Sequence, residues 1–343
     1  MPQPVPGVTH VAAGQISDAV ANPDFDVSAA GRSAATTSDP VARVRRPAPC
    51  SEGCPASEDV RHWVLALRDG EAAVFAAWRT IVATNPLPAV LGRICYAPCE
   101  EGCWRTRLDS PISIRMLERL VGDRALAEGW VLPDPGPRVG RRVVVVGSGP
   151  CGLSAAYHLA RSGHDVVVRE AHSAAGGLLR RGISEARLPK AVLDDEIDRI
   201  LSLGVELETR RPVRKVSDAF GDAEGVIWAA GASMCMALAE GRTIWKQPVH
   251  AGPHTGPRRR TATVSVGHGM RAAEALSAHL AGAEPTASTP SSASTRPTAP
   301  LLLSAASPPT SSLVPDDLGA LGDGAGIAPE ASRCLSCRSL GAP

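Results

Sequence analysis

Aromatic residues are scarce: the 343-residue chain carries only 6 Trp, 2 Tyr and 3 Phe. So few large rings leave little material for a core along the whole length, although the length allows two or three domains of about 100–200 residues each. A surplus of either charge is also missing. The formal net charge is +1, so no general field draws the chain to nucleic acid or to an anionic membrane. Lysine is nearly absent, with 3 Lys against 33 Arg, a bias that reads as GC-rich coding and not as chemistry. No apolar run approaches the ~20 residues of a membrane span. The N-terminus lacks the basic region and continuous apolar stretch of a secretory signal. The expectation is a cytoplasmic protein with neither a nucleic-acid nor a membrane partner.

Glycine, proline and cysteine are plentiful, at 33, 30 and 9 residues, and unevenly spread. Residues 1–46 are rich in Ala, Ser, Pro and Asp without periodicity and read as a disordered tail. Residues 283–327 are Ser/Thr/Pro/Ala low complexity, a linker. Residues 328–343 offer only Cys334-x2-Cys337, two thiols that cannot complete a four-iron cluster and read as a bare pair in a tail.

Between these tails two patterns follow one another. Residues 47–132 show helical spacing: Ser57 is a candidate N-cap, Val60, Trp63, Val64 and Leu67 share a face, and Gly70 ends the run. A second helix is expected to turn Val74, Phe75, Trp78, Ile81 and Val82 inward, and Ser113 heads a third helix with Ile114, Leu117, Leu120 and Val121. From Arg141 the pattern alternates. Strands are expected at Val143–Val146, Asp165–Arg169, Val205–Glu208 and Gly225–Ala230, with helices between them, which implies a parallel α/β sheet within 141–282. Residues 234–260 show neither period. Thr261–Val266 reads as one more strand and Met270–Leu280 as one more helix.

The strongest chemical signal is Gly147-Ser-Gly149-Pro-Cys-Gly152 between a valine strand and a helix. The first glycine permits the tight turn, the second lets a pyrophosphate approach the backbone, and the third lets helix and strand pack closely. Glu170 ends the second strand 18 residues after Gly152, placed to accept hydrogen bonds from a ribose diol. Gly176-Gly177-Leu178 and Gly231 are secondary glycine sites that suit a long dinucleotide lying across the sheet. Gly267-His-Gly269-Met-Arg-Ala272 also fits the pattern, but no second strand or acid follows, so it is rejected as an independent nicotinamide site.

Five cysteines fall between 50 and 103, as Cys50-x3-Cys54-Pro and Cys95-x3-Cys99-x3-Cys103. Pro98 breaks any continuous helix there, which points to a loop wrapping a centre. Soft thiolates select zinc or iron–sulfur, and the Cys54-Pro step is similar to the end of ferredoxin runs. Cys151 reads as a packing residue in the glycine turn.

The stretch Asn85-Pro-Leu-Pro-Ala-Val-Leu-Gly-Arg-Ile-Cys95-Tyr-Ala-Pro-Cys99-Glu-Glu-Gly-Cys103 resembles the N-terminal cluster domain of the glutamate synthase small (beta) subunit family, which is related to the N-terminal part of dihydropyrimidine dehydrogenase. The likeness continues through Pro111-Ile-Ser-Ile, the glycine turn, Gly176-Gly-Leu-Leu, Arg187-Leu-Pro-Lys190 and Thr261–Gly282, about 210 of 343 residues in all. It implies an α-helical 4Fe-4S domain followed by a Rossmann-like FAD-binding domain, and a larger redox partner subunit. By position Gly147, Gly149, Gly152, Glu170, Gly176, Gly177, Leu178, Arg187, Val213 and Gly231 would serve FAD. Cys54, Cys95 and Cys99 would hold one cluster, with Cys103 or Glu118 as fourth ligand and Cys50 a spare ligand or neighbour. Family members place an NADPH domain of about 150 residues where this chain has the 28 residues 233–260. The resemblance therefore implies electrons passing from NAD(P)H through FAD to a cluster, on a chain whose own NADPH site is missing. Its alternative is an electron-relay module, or a remnant, that does not oxidise NADPH. No residue is assigned as a general acid or base.

Overall fold

The computed structural model describes residues 47–231, 234–246, 261–283 and 327–337. The expected N-terminal tail and nearly all of the low-complexity linker lie outside the described residues, as do 247–260 and 338–343. No helix among the described residues is long and apolar enough to cross a membrane.

Six helices open the described chain: α1 (Pro49–Glu52), α2 (Val60–Ala66), α3 (Val74–Val82), α4 (Pro88–Ile94), α5 (Pro98–Glu101) and α6 (Ile114–Ala127). The first cap differs from expectation. Asp59 accepts the His62 N–H at 3.3 Å and starts α2, while Ser57 turns the chain with φ of 61°. Pro88 starts α4 at a position whose N–H would have no helical partner. Trp63, Trp78, Ile81, Leu91, Leu117 and Val121 are fully enclosed where these helices meet.

α4 and α6 cross at two glycines. A Cβ on Gly122 would lie 2.4 Å from the Ala89 nitrogen, and one on Gly92 2.5 Å from the Arg119 nitrogen. Backbone cannot yield as a side-chain tip does, so Gly122→Ala is expected to push the helices apart at about 1–3 kcal/mol. Urea unfolding followed by tryptophan fluorescence checks this: the midpoint should fall while the slope stays constant.

The second part alternates as anticipated. Its elements are β1 (Arg142–Val146), α7 (Pro150–Arg161), β2 (Asp165–Arg169), α8 (Gly177–Arg181), α9 (Lys190–Leu201), β3 (Glu206–Glu208), α10 (Ser217–Phe220), β4 (Gly225–Gly231), β5 (Met234–Ala239), β6 (Arg242–Lys246) and α11 (Ala262–Leu280). The strand order is β3-β2-β1-β4-β5-β6. β1 lies parallel between β2 and β4, with Val144 opposite both Val167 and Val226. β5 and β6 continue the sheet antiparallel. The mixed sheet is thus dominated by its four parallel strands.

Two segments depart from the sequence reading. Residues 234–246, where no period was visible, form the β5–β6 hairpin, joined by Glu240 and Gly241 at φ of 51° and 73°. Two positive φ values match the tight turn that follows strand twist, but Glu-Gly is a weak signal for it, and β5 carries no β-branched or aromatic residue. The strand expected at Thr261–Val266 is instead the first turns of α11. Thr261 accepts the Val264 N–H at 3.2 Å as an N-cap, and Val266 is buried. The β-branched run misleads because packing overrides local preference. Gly267 and Gly269 lie inside α11, not in a loop. Added Cβ atoms there would lie 2.0 Å from the Pro55 oxygen and 2.2 Å from the Cys151 oxygen, so these glycines serve close packing.

The two parts interlock. Tyr157 on α7 donates to the Val82 carbonyl at 2.6 Å. Glu196 on α9, fully buried, accepts the Ala89 and Val90 N–H groups at 2.9 and 3.0 Å. Burial pushes the Glu196 carboxyl up to about 8, against the opposing pull of those two donors. A carboxyl raised on folding binds more protons in the native state between its unfolded and folded values. Its contribution is therefore full below about 4.3 and is lost as pH rises through about 8. Urea unfolding at pH 5 to 8.5 should show native stability falling more steeply than that of Glu196→Gln. Equal slopes would assign the pH dependence elsewhere.

A last helix, α12 (Ile327–Ser332), lies against the helical part. Glu330 accepts the Ser113 N–H at 2.8 Å. Arg333 pairs with Glu330 at 2.7 Å and Asp109 at 3.3 Å, and Arg105 donates to the Arg333 carbonyl at 2.9 Å.

Candidate functional site

The carboxyl ends of β1, β2 and β4 open onto a cleft of about 840 Å³, at the point where the strand order reverses on either side of β1. Open α/β sheets bind ligands at such a reversal. The glycine turn forms its floor. Gly147 has φ of 98°, and a Cβ there would lie 2.6 Å from the Ala229 oxygen. A Cβ on Gly152 would lie 1.8 Å from the Gly147 oxygen, so this glycine permits the strand–helix approach and does not line the cleft. Gly149 differs: no atom lies within 4 Å of where its Cβ would be. The turn keeps open space beside Gly149, at the start of α7, where N–H groups lack helical acceptors.

Glu170 lines the cleft and is nearly enclosed. Its carboxylate accepts from the Ser148 N–H at 3.1 Å, from the Ser148 hydroxyl, and from the His172 N–H at 2.8 Å. Burial pushes the carboxyl up, but these donors outweigh it and hold Glu170 below the ordinary carboxylate value, so it is anionic at neutral pH. Gly177, Leu178, Arg187, Val213 and Gly231 also line the cleft. Gly176 does not; its N–H donates to the Ser148 carbonyl at 3.0 Å and supports the turn from behind. Sequence reasoning missed Arg181, Arg211, Thr261 and Ser265, which complete the lining. Isolated arginines carry no local signal, and the last two depended on recognising α11.

The thiols divide into two groups. Cys99 is within electrostatic reach of Cys54, Cys95 and Glu118. Burial, reinforced by those neighbours, pushes the Cys99 thiol well up, and burial with nearby Glu58 does the same for Cys54. Cys95 accepts from the Thr263 hydroxyl at 3.1 Å and the Ala97 N–H at 3.3 Å. The buried Asn85 amide donates at 2.9 Å to both Glu58 and Glu118, two buried carboxyls on one amide. Cys103, expected as an alternative fourth ligand here, lies elsewhere. It lines a second cavity with Cys50, and so do Cys334 and Cys337. The pair read as a bare tail is thus packed against the helical part. Among the described residues no three His, Cys, Asp or Glu side chains converge to hold a single metal ion. A four-iron cluster presents its iron corners to thiolates spread around it. All nine cysteines are free thiols, and Cys151 is buried, as a packing role requires.

The two sites adjoin. Ile94 and Tyr96, on either side of Cys95, line the cleft, and Arg187 from the cleft wall donates to the Ile94 carbonyl at 3.5 Å.

Residues 41–130 match the model of dihydropyrimidine dehydrogenase domain II, 4Fe-4S cluster, and residues 145–195 that of an NAD(P)-binding Rossmann-like domain. Over part of its length this chain is similar to glutamate synthase small chains. The glutamate synthase [NADPH] small chain of Mycobacterium tuberculosis is 42% identical over 163 residues, 46% of this chain and 32% of that relative. Glutamate synthase [NADH] of Schizosaccharomyces pombe is 36% identical over 197 residues, 56% of this chain and 9% of the relative. The NAD-dependent dihydropyrimidine dehydrogenase subunit PreT of Escherichia coli is 37% identical over 172 residues, 49% of this chain and 41% of the relative. The chain thus spans less than half the length of these curated relatives.

Proposed function

We propose that this chain is an oxidoreductase subunit that holds FAD in the glycine-turn cleft and a 4Fe-4S cluster at Cys54, Cys95, Cys99 and Glu118, and delivers electrons to a larger partner protein. One observation carries the reading: the residues flanking Cys95 form part of the cleft wall, so the thiol centre and the dinucleotide site share a boundary. Bound together, flavin and cluster would supply the conversion of a two-electron hydride transfer into single-electron steps.

The chain's own residues fit both groups. The space over Gly149 admits a pyrophosphate, and Arg181, Arg187 and Arg211 set positive charge along the cleft. Anionic Glu170 accepts hydrogen bonds from the ribose diol. Cys54, partly buried, and Cys99, buried, are thiols whose protons leave on ligation to a soft metal. Glu118, buried and tied to Asn85, supplies the fourth donor. Thr263 donates to the Cys95 sulfur from the start of α11, whose residues Thr261, Ala262 and Ser265 also line the cleft. A hydrogen bond to a ligating sulfur raises cluster potential, so Thr263→Val is expected to lower the midpoint potential while leaving iron content unchanged, as redox titration would show.

The test is an anaerobic preparation of the full chain analysed for flavin, iron and acid-labile sulfide. FAD near one per chain, with iron and sulfide in equal amounts, supports the reading. Zinc in place of iron, or protein free of flavin that binds none on addition, contradicts it. An NADPH-driven dye-reduction assay separates two variants of the function. Activity assigns nicotinamide oxidation to this chain, and inactivity in the flavin-loaded protein makes it a relay fed by another protein.

A further inference from the structure

The C-terminal Cys334-x2-Cys337 pair lines one cavity with Cys50 and Cys103, more than 220 residues away in sequence. Its remaining walls are mostly apolar, including Val60, Val64, Trp104, Ile112 and Ile114. Four thiols in an apolar pocket are the donor set of an iron–sulfur cluster. We propose that Cys50, Cys103, Cys334 and Cys337 hold a second four-iron–four-sulfur cluster, built from both ends of the chain.

The fold brings the four together by dedicated contacts. α1 and α5 lie against each other at two glycines: a Cβ on Gly53 would stand 3.3 Å from the Pro98 oxygen, and one on Gly102 3.3 Å from the Pro49 oxygen. This approach divides the Cys50-x3-Cys54 and Cys99-x3-Cys103 pairs between the two centres. Cys54 and Cys99 face Cys95, while Cys50 and Cys103 face the C-terminal pair. The other two donors follow directly after α12. Arg333, one residue before Cys334, is buried with Glu330, bonds to Asp109 and Ser110, and has its carbonyl held by Arg105. Arg68 donates to the carbonyls of Ala331 and Cys334. A tail packed only for stability would not need so many charged groups buried around two cysteines.

The second centre goes beyond the proposed function, which needs only the Cys54 centre. Its test compares iron and sulfide in anaerobically purified full chains. Cys334→Ser/Cys337→Ser is expected to retain about half the iron and sulfide of the native chain, and Cys54→Ser/Cys99→Ser the other half. Each centre thereby stands or falls separately. Iron unchanged by Cys334→Ser/Cys337→Ser overturns the proposal, as does one zinc per chain that this variant loses. A second measurement needs no variant. In the native iron-loaded chain, Cys50, Cys103, Cys334 and Cys337 should resist iodoacetamide together and become reactive together once the iron is removed by oxidant and chelator. Free alkylation of Cys334 and Cys337 while iron is bound overturns the proposal.

Discussion

Gly152→Ala should empty the cleft. The added methyl would sit 1.8 Å from the Gly147 oxygen and 2.9 Å from its carbonyl carbon, with the Val145 side chain 3.3 Å away on the other side. Nothing there is a flexible tip, so β1 and α7 must separate. Overpacking costs about 1–3 kcal/mol, and the distortion falls on the turn that must bind a pyrophosphate. Applied wholly to the ligand, that energy is about 5- to 150-fold in affinity. The variant should therefore both melt earlier and purify with far less FAD. Gly149→Ala separates the two effects. With no protein atom within 4 Å of its Cβ, it should leave the flavin-free protein nearly as stable as before while opposing the dinucleotide directly. Flavin content and thermal unfolding of the two flavin-stripped variants check the contrast. If Gly149→Ala purifies with its flavin at native levels, the ligand does not cross the turn.

Arg333→Met should detach the C-terminal segment. Arg333 and Glu330 are both about 1% exposed, so removing the guanidinium leaves a carboxylate enclosed with no cation directly paired to it. Breaking a buried pair in this way costs about 3–5 kcal/mol. The chain avoids the cost by releasing α12 into water, not by unfolding throughout. Hydrogen exchange over residues 327–337 should rise steeply while α6 and β1 keep their protection. Glu330→Gln in the same chain removes the stranded charge and should recover part of the docking, a coupling that a double-mutant cycle measures. Uniform loss of protection across the chain would instead make the network part of the global core.

Legibility in the sequence followed sequence distance. Val143–Val146, the glycine turn and Glu170 lie within 28 residues, and each obeys a local rule, so strand, turn and acid were all readable. The same holds for the Cys95–Cys103 loop, where Pro98 excludes a continuous helix. The β5–β6 hairpin was hidden because β5 lacks β-branched residues and the turn lacks Asn or Asp. The start of α11 was misread for the opposite reason, a β-branched run whose burial against α7 decides its conformation. The division of the cysteines was beyond any local reading. Cys103 and Cys99 are four residues apart but face different centres, because Gly53 and Gly102 let α1 and α5 approach. Cys334 joins Cys50 only through Arg333, Glu330 and Asp109, groups that by spacing alone look like solvated charges.

The central claim is that dinucleotide and iron centre exchange electrons within one chain. It is tested most directly by fully reducing the FAD-loaded protein and mixing it anaerobically with less than one equivalent of ferricyanide. Flavin and cluster absorbance are then followed at separate wavelengths. The shared boundary at Ile94, Cys95 and Tyr96 predicts that electrons redistribute within the mixing time, so that both signals move in one phase set by their relative potentials. Two independent phases, each insensitive to the other centre's oxidation state, would contradict the account.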